Sequence, residues 1–244
     1  LIYIDPARRD SKGGKVVSIS DCQPDVSTLQ DDLLEMSHYV MIKLSPMLDI
    51  TRLMAELRNV VNVMAISLDG ECKELLVLMS KGDSGNPEIS SINIDSKQGP
   101  GKLINATQAE EQSLPLQIIQ GDIAPGSFLY EPYSCHMKSG LFRTLQRSHN
   151  VFQLEVNTHL FWSELPVPEF PGRSFRINAV IPADRHSLKQ FFENIHQANI
   201  AVRNFPMTVA EVKTRFKVKD GGLHFVFLTT LTGKRRILLD CERV

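Results

Sequence analysis

The 244-residue sequence has no apolar run long enough to cross a bilayer. Its longer apolar stretches, Val60 to Leu68 and Leu75 to Met79, fall far short of the roughly 18 residues that a spanning helix needs. The first residues, Leu1-Ile2-Tyr3-Ile4, lack a basic segment, a long apolar core and a small-residue cleavage site, so no secretion signal is expected and a cytoplasmic address follows. The four cysteines, Cys22, Cys72, Cys135 and Cys241, form no C-x-x-C pair and have no histidine at finger spacing. That pattern excludes a structural zinc site and a disulfide framework. None of the seven histidines falls in an H-E-x-x-H motif, and no metal site is expected. Cys135 and His136 are neighbours whose side chains diverge on a strand, which argues against a thiol-imidazole dyad.

What is present is enough apolar content, 42%, for one large or two small cores. Net charge is −1, but it is unevenly spread: from Pro171 onward there are 13 Lys and Arg against 6 Asp and Glu, and before it 14 against 22. An acidic body with a basic tail points to a polyanionic partner for the tail.

Leu1 to Ile4 reads as a buried parallel strand that ends at Asp5-Pro6. Because the sequence opens inside such an element, a missing upstream part is expected. Ser27 to Met36 has helical spacing with Ser27 as cap. Tyr39 to Leu44 is a second strand ending at Ser45-Pro46, and Ile50 to Leu57 the helix after it. This alternation implies a parallel sheet with right-handed crossovers. It stops at Val60 to Leu68 and Glu74 to Met79, joined by Asp69-Gly70 as an antiparallel hairpin. Ile89 to Ile94 fits either an edge strand or a long loop. Ser127 to Pro132 reads as a strand leading into one helix, Met137 to Arg147, and the prolines between Pro166 and Pro171 mark a domain boundary. From Phe170 the order is β-α-β-α-β-β: a strand over Phe175 to Ile181, a helix from Ser187, a strand around Ile200 to Arg203, a helix begun by the Thr208-x-x-Glu211 capping box, and a closing hairpin.

In open α/β sheets ligands bind beyond the carboxyl ends of strands, here Asp5-Pro6-Ala7-Arg8 and Lys43-Leu44-Ser45-Pro46. The plain alternative is that Asp5 forms a turn and Pro6 ends a strand. Ile2-Tyr3-Ile4-Asp5-Pro6-Ala7-Arg8-Arg9-Asp10 resembles the fourth-strand motif of class I methyltransferases. With Lys43-Leu44-Ser45-Pro46-Met47-Leu48-Asp49, Tyr130-Glu131-Pro132, Met137-Lys138-Ser139-Gly140, Phe170-Pro171-Gly172-Arg173 and Val202-Arg203-Asn204-Phe205-Pro206, the chain resembles bacterial methyltransferase-like proteins that end in a THUMP-like domain.

The resemblance implies an α/β fold: a partial Rossmann-like methyltransferase sheet with an antiparallel C-terminal hairpin over residues 1–169, linker included, and a smaller THUMP-like domain over 170–244. It implies S-adenosylmethionine as cofactor of the intact protein, with most cofactor contacts in the part that precedes this chain. Asp5, Pro6 and Arg8 become candidate catalytic residues. Ala7 and Arg8 stand where amine-methylating relatives have a second proline and an aromatic, so Arg8 would stack on a base or hold a phosphate. Gly13-Gly14-Lys15 fits no phosphate-binding loop, and this chain alone is expected to be inactive. THUMP-like domains imply RNA binding, with Arg173, Arg203, Arg215 and Lys217 as candidates alongside Arg176, Lys213 and Lys219. Each of these, taken singly, reads first as a solvated surface charge, and it is the cluster that carries the inference. Phe205 is either a stacking platform or core, Trp162 is core between the domains, and Glu131, Tyr133 and Lys138 form a polar cluster without assigned chemistry. Two functions compete: an RNA methyltransferase acting on tRNA or rRNA, and a non-catalytic RNA- or ribosome-binding module on a degenerate scaffold. An unpaired sheet edge predicts self-association.

Overall fold

Ile2–Ile4 (β1) and Tyr39–Leu44 (β2) pair in parallel, Ile2 opposite Val40, as expected. However, β1 is not the buried strand its apolar run predicts: it lies at the end of the strand order and Tyr3 is exposed. Val26–Met36 (α1) lies between them in sequence and Ile50–Glu56 (α2) follows β2. This computed structural model describes residues 1–7, 18–82 and 85–244. The chain divides into one unit of residues 1–115 and 133–145 and a second of residues 116–132 and 146–244.

In the first unit Val60–Leu68 (β3) and Glu71–Ser80 (β4) form the expected hairpin. Asp69 and Gly70 both have positive φ, 51° and 85°, the left-handed pair that a two-residue turn demands. β4 inserts between β2 and β3, antiparallel to both, so the strands run β1-β2-β4-β3. The segment left open between strand and loop is a strand, Glu88–Asp95 (β5). It is parallel to β3 on one side and antiparallel to Gly99–Pro100 (β6) and Ile104–Thr107 (β7) on the other. Gln108–Ser113 (α3) starts at a capping box on Thr107 and Glu110. The cap of α1 is Asp25, whose carboxylate accepts from the Ser27 amide, and not Ser27 itself; a carboxylate two residues earlier takes the capping role from the hydroxyl. Val40, Ile42, Val63, Ala65, Leu75 and Val77 are sealed from solvent and form the core of this sheet.

In the second unit Phe128–Pro132 (β8) is a strand as expected. The single helix expected over Met137 to Arg147 is two, Ser134–Ser139 (α4) and Phe142–His149 (α5), broken where Gly140 takes φ 72°. Tyr133–Leu145 belongs to the first unit, where α4 packs on β3, β4 and β5. Phe152–Gln153 (β9), Phe161–Ser163 (β10), Gly172–Pro182 (β11), Arg185–Glu193 (α6), Asn199–Arg203 (β12), Val209–Phe216 (α7), Phe225–Leu231 (β13) and Arg235–Arg243 (β14) follow. The second sheet runs β12-β13-β14-β11-β8-β10-β9. From β11 onward the β-α-β-α-β-β order is as expected. Thr208 and Glu211 make the predicted capping box, and α7 ends at Phe216, where Lys217 takes φ 57° as its left-handed cap.

Alternation along the strands gives this sheet two apolar faces. Leu188, Phe192 and Val212 of the helices pack on Val226, Leu228 and Leu238. The opposite face gathers Leu129, Phe175, Ile177, Phe227, Leu231 and Leu239. Trp162 packs on this second cluster and donates its indole N–H to Ser127 Oγ at 2.7 Å, so it is core of this unit. The β11–β14 register shifts between Ile177 and Ala179, an irregularity of the kind that bends a sheet.

Candidate functional site

The carboxyl ends of β1 and β2 bring together two of the sequence-predicted groups. Asp5 and Lys43 form an ion pair at 2.5 Å, with side chains 42% and 24% exposed. The pairing, through the hydrogen bond to Asp5, raises the Lys43 pKa above its ordinary 10.5. Pro6 is buried and Ala7 makes a two-way backbone bridge with Gln23, so the chain after β1 is held against the segment leading into α1. Arg8, Arg9, Asp10 and Gly13-Gly14-Lys15 lie outside the described residues. Ser45 Oγ accepts from the Met47 amide, a local turn bond that ties this hydroxyl to its own loop.

Cys135 and His136 sit on a helix rather than a strand, and each turns to a different partner. The Cys135 amide donates to Ser67 Oγ at 2.8 Å, while His136 Nδ1 and Ser91 Oγ are 2.9 Å apart. Burial raises the Cys135 thiol pKa and pushes that of Cys72 up to about 11, so neither is a thiolate nucleophile. The absence of a Cys135–His136 dyad stands, for a geometric reason other than the one anticipated.

The second unit holds a denser charged group. Leu129 of β8 faces the apolar cluster, so period-two alternation places Glu131 on that same face. Its side chain is only 5% exposed. Arg173 precedes Phe175 and Ile177 on the same face of β11, and donates from Nε (2.9 Å) and Nη2 to Glu131 Oε2. Arg203, at the end of β12, donates from Nη2 to Glu131 Oε1 at 2.6 Å. Three strands separate β12 from β8 in the sheet order, which on a flat sheet would put them about 19 Å apart. The ion pair therefore requires the sheet to curl and close one end of its concave face with two guanidiniums on one carboxylate. Among the described residues Thr229, opposite Arg203 in the β12–β13 ladder and fully buried, has no hydrogen-bond partner for its Oγ1, and Arg203 Nε has none either. Burial, with Arg203 adding to it, lowers the pKa of nearby His159 below 6.5 and keeps it neutral at pH 7.

Beside this group a groove of about 980 Å³ runs along the carboxyl ends of β12 and β13. Asn204, Phe205, Thr230, Lys234 and Arg236 are among its lining residues. Asn204 takes φ 50° and donates to Glu155 Oε2 at 2.8 Å. Phe205 is half-buried against the helix-side core.

Of the four expected RNA-binding cations, the structure brings Arg173 and Arg203 together on Glu131 and leaves Arg215 and Lys217 at the end of α7. There the Arg215 guanidinium lies 5.7 Å from the centroid of the Phe216 ring, and Lys217 is exposed. Lys213 pairs with Asp220 at 2.5 Å, and Arg176 lies 3.8 Å from Glu242. Glu131 pairs with neither Tyr133 nor Lys138; Tyr133 lies instead against Gly70. Sequence reasoning missed the role of Glu131 and the presence of Lys234 and Arg236. The signal for Glu131 was available: a carboxylate at a core-facing strand position demands a cationic partner.

A THUMP domain-like family profile matches residues 172–243, and a ferredoxin-like domain profile matches 128–171. The second match runs through Tyr133–Leu145, which packs with the first unit. Among curated proteins none matches. The crystal structure of a putative methyltransferase from Porphyromonas gingivalis W83 superposes over the whole chain with a TM-score of 0.86 and 33% identity. This chain spans 59% of the length of that protein. It is thus similar to a methyltransferase-like protein and carries a THUMP-like segment. Among the described residues no helix is long and apolar enough to cross a membrane.

Proposed function

We propose that this chain is the carboxyl part of a cytoplasmic class I S-adenosylmethionine-dependent methyltransferase acting on tRNA or rRNA. Residues 1–169 would be the end of the methyltransferase domain with its linker, and 170–244 the RNA-binding part. The observation that carries the reading is the β1-β2-β4-β3 order with Asp5-Pro6 at the carboxyl end of β1. The 59% coverage of the similar protein leaves room for a cofactor-binding half elsewhere.

S-adenosylmethionine, when bound, supplies an electrophilic methyl group. The described residues do not by themselves fit it: Asp5 is engaged by Lys43 and Ser45 by its own turn, and neither strand end offers a second acidic residue for a ribose. Asp5 would act on the substrate side, with Lys43 holding Oδ2 so that Oδ1 faces an amine hydrogen, and buried Pro6 forming the floor. Arg8 is proposed from sequence alone. Methyl transfer of this kind depends on positioning and desolvation more than on a strong base.

The basic segment, through Arg173, Arg203, Arg215 and Lys217, would bring RNA to that site. A second reading is an RNA- or ribosome-binding scaffold without chemistry. It is favoured by the sequence after Pro6, where Ala7, bridged through its backbone to Gln23, and Arg8 stand in place of the second proline and the aromatic platform of amine-methylating relatives.

Calorimetric titration of S-adenosylmethionine into this chain and into a longer protein that includes the preceding residues separates them. Binding by the longer protein alone supports the methyltransferase. Binding by neither supports the scaffold. Among the described residues β1 pairs only with β2, and Leu1 and Tyr3 are 75% and 54% exposed, which supports self-association of this chain. A species that stays monomeric at every concentration in light scattering counts against it.

A further inference from the structure

We propose that Arg173 and Arg203, held by Glu131, form a preset clamp for a phosphate group, supplied by the RNA backbone or by a terminal phosphate. This deepens the RNA reading above and rests on it for the source of the phosphate.

A carboxylate that is 5% exposed must be neutralised, and one guanidinium would suffice. Two are present, so the group keeps one net positive charge at the mouth of a concave face. The two arginine side chains are 45% and 40% exposed. Arg173 places Nε and Nη2 on Glu131 and leaves Nη1 over. Arg203 places Nη2 on Glu131 and Nη1 at 3.3 Å from the adjoining Val202 carbonyl oxygen, a long bond that a ligand oxygen can replace. The Arg173 guanidinium also lies 5.8 Å from the centroid of the Phe175 ring, which restrains its plane. Arg203 Nε is buried and has no acceptor among the described residues, so it adds positive potential at the clamp rather than a donor that a ligand can reach.

Guanidiniums fixed in orientation before the ligand arrives lose little entropy on binding it, and with Nη2 of each on Glu131 the Nη1 edges are what two oxygens of one phosphate would meet. The groove is lined by Val202 and Asn204, the residues on either side of Arg203, and by Lys234, Arg236 and Glu155, so a strand whose phosphate sits on the clamp would continue along it. Lysine in place of either arginine keeps the charge but loses the fork.

The test uses the whole chain, with fluorescence anisotropy on a short single-stranded oligoribonucleotide with or without a terminal phosphate, and calorimetry with pyrophosphate. Arg173→Lys and Arg203→Lys should each weaken RNA binding about tenfold while the melting midpoint stays near that of the parent. If only the phosphorylated oligonucleotide is affected, the clamp reads a terminal phosphate; if both are, it reads the backbone. Unchanged RNA binding in both variants overturns the clamp even where the melting midpoint drops, because a purely structural ion pair behaves that way. If the parent binds no RNA, the RNA reading falls alone provided pyrophosphate binds and Arg203→Lys abolishes it. Failure of every probe overturns the clamp as well. Should the variants not fold, the Nε–H resonances of Arg173 and Arg203 in the parent must shift on titration with pyrophosphate or RNA, and their constancy overturns it too.

Discussion

Asp5 in the first unit and Glu131 in the second are carboxylates near the ends of sheet strands, and they meet their cations in opposite ways. Asp5 stays 42% exposed and takes one lysine whose flexible stem reaches it from the neighbouring strand. Glu131 is almost sealed and takes two arginines, one from an adjacent strand and one from across the curled sheet. The first pair costs little to form, and water substitutes readily for either partner. The second is tolerated because the fold delivers cations to the sealed carboxylate, Arg173 through strand pairing and Arg203 through sheet curvature. Folding of the first unit should therefore be indifferent to its site charge, while folding of the second should depend on it.

The largest effect is expected where this dependence is mechanical. Gly172 lies opposite Pro132 in the β8–β11 ladder, and a Cβ there would come within 2.2 Å of the Glu131 carbonyl oxygen and 2.8 Å of Pro132 Cα. Gly172→Ala must separate β8 from β11 and carry Glu131 away from Arg173. Chemical denaturation should show a loss of more than about 3 kcal/mol. A variant as stable as the parent would mean that the close approach does not hold the site.

Next comes Glu131→Gln, which keeps the shape and leaves two guanidiniums facing a neutral amide. With both arginines partly solvated, the expected loss is about 2 kcal/mol. An exchange of similar size at Asp5 would erase the contrast between the two carboxylates. A smaller effect belongs to Thr208→Ala, which removes one half of the capping box on α7 and should cost about 1 kcal/mol without touching the clamp.

Acid sharpens the comparison further. His159 has its pKa lowered in the folded chain, by burial first and by Arg203 second. The unfolded chain therefore takes up this proton first as pH falls below 6.5, and stability declines through the window between the ordinary and the lowered value. His159→Gln should flatten the pH dependence of the melting midpoint there. An unaltered slope would place the dependence elsewhere.

The alternating strands of both sheets, the Asp69-Gly70 turn and the Thr208 capping box were legible because each rests on local periodicity or a local hydrogen bond. β5 was ambiguous because it gains strand character from β3 and β7, which are distant in sequence. Gly140 split one expected helix into two, a glycine signal present in the sequence and not weighed. The Asp5–Lys43 pair was half legible, both residues being named as strand ends. The meeting of Arg203 with Glu131 was not, since it depends on curvature summed over five strands, and no pairwise spacing encodes that.

The smallest expected effect on folding is that of Asp5→Asn, and it isolates function from stability. The side chain is exposed and among the described residues pairs with Lys43 alone, so the melting midpoint should not move measurably. In the longer protein, the proposed role of Asp5 in accepting substrate hydrogens predicts a loss of methyl transfer with cofactor affinity retained, because asparagine still accepts one hydrogen bond but carries no charge. Lys43→Met gives the complementary variant: it frees Oδ2 without removing the carboxylate, so the orientation of Asp5 is lost while its charge remains. If Asp5→Asn lowers turnover strongly and Lys43→Met does so weakly, charge matters more than orientation at this strand end, and the reverse ranking assigns Lys43 a positioning role. If neither changes turnover while Glu131→Gln abolishes RNA binding, the first carboxylate is a turn former and the functional weight of this chain lies in its second unit.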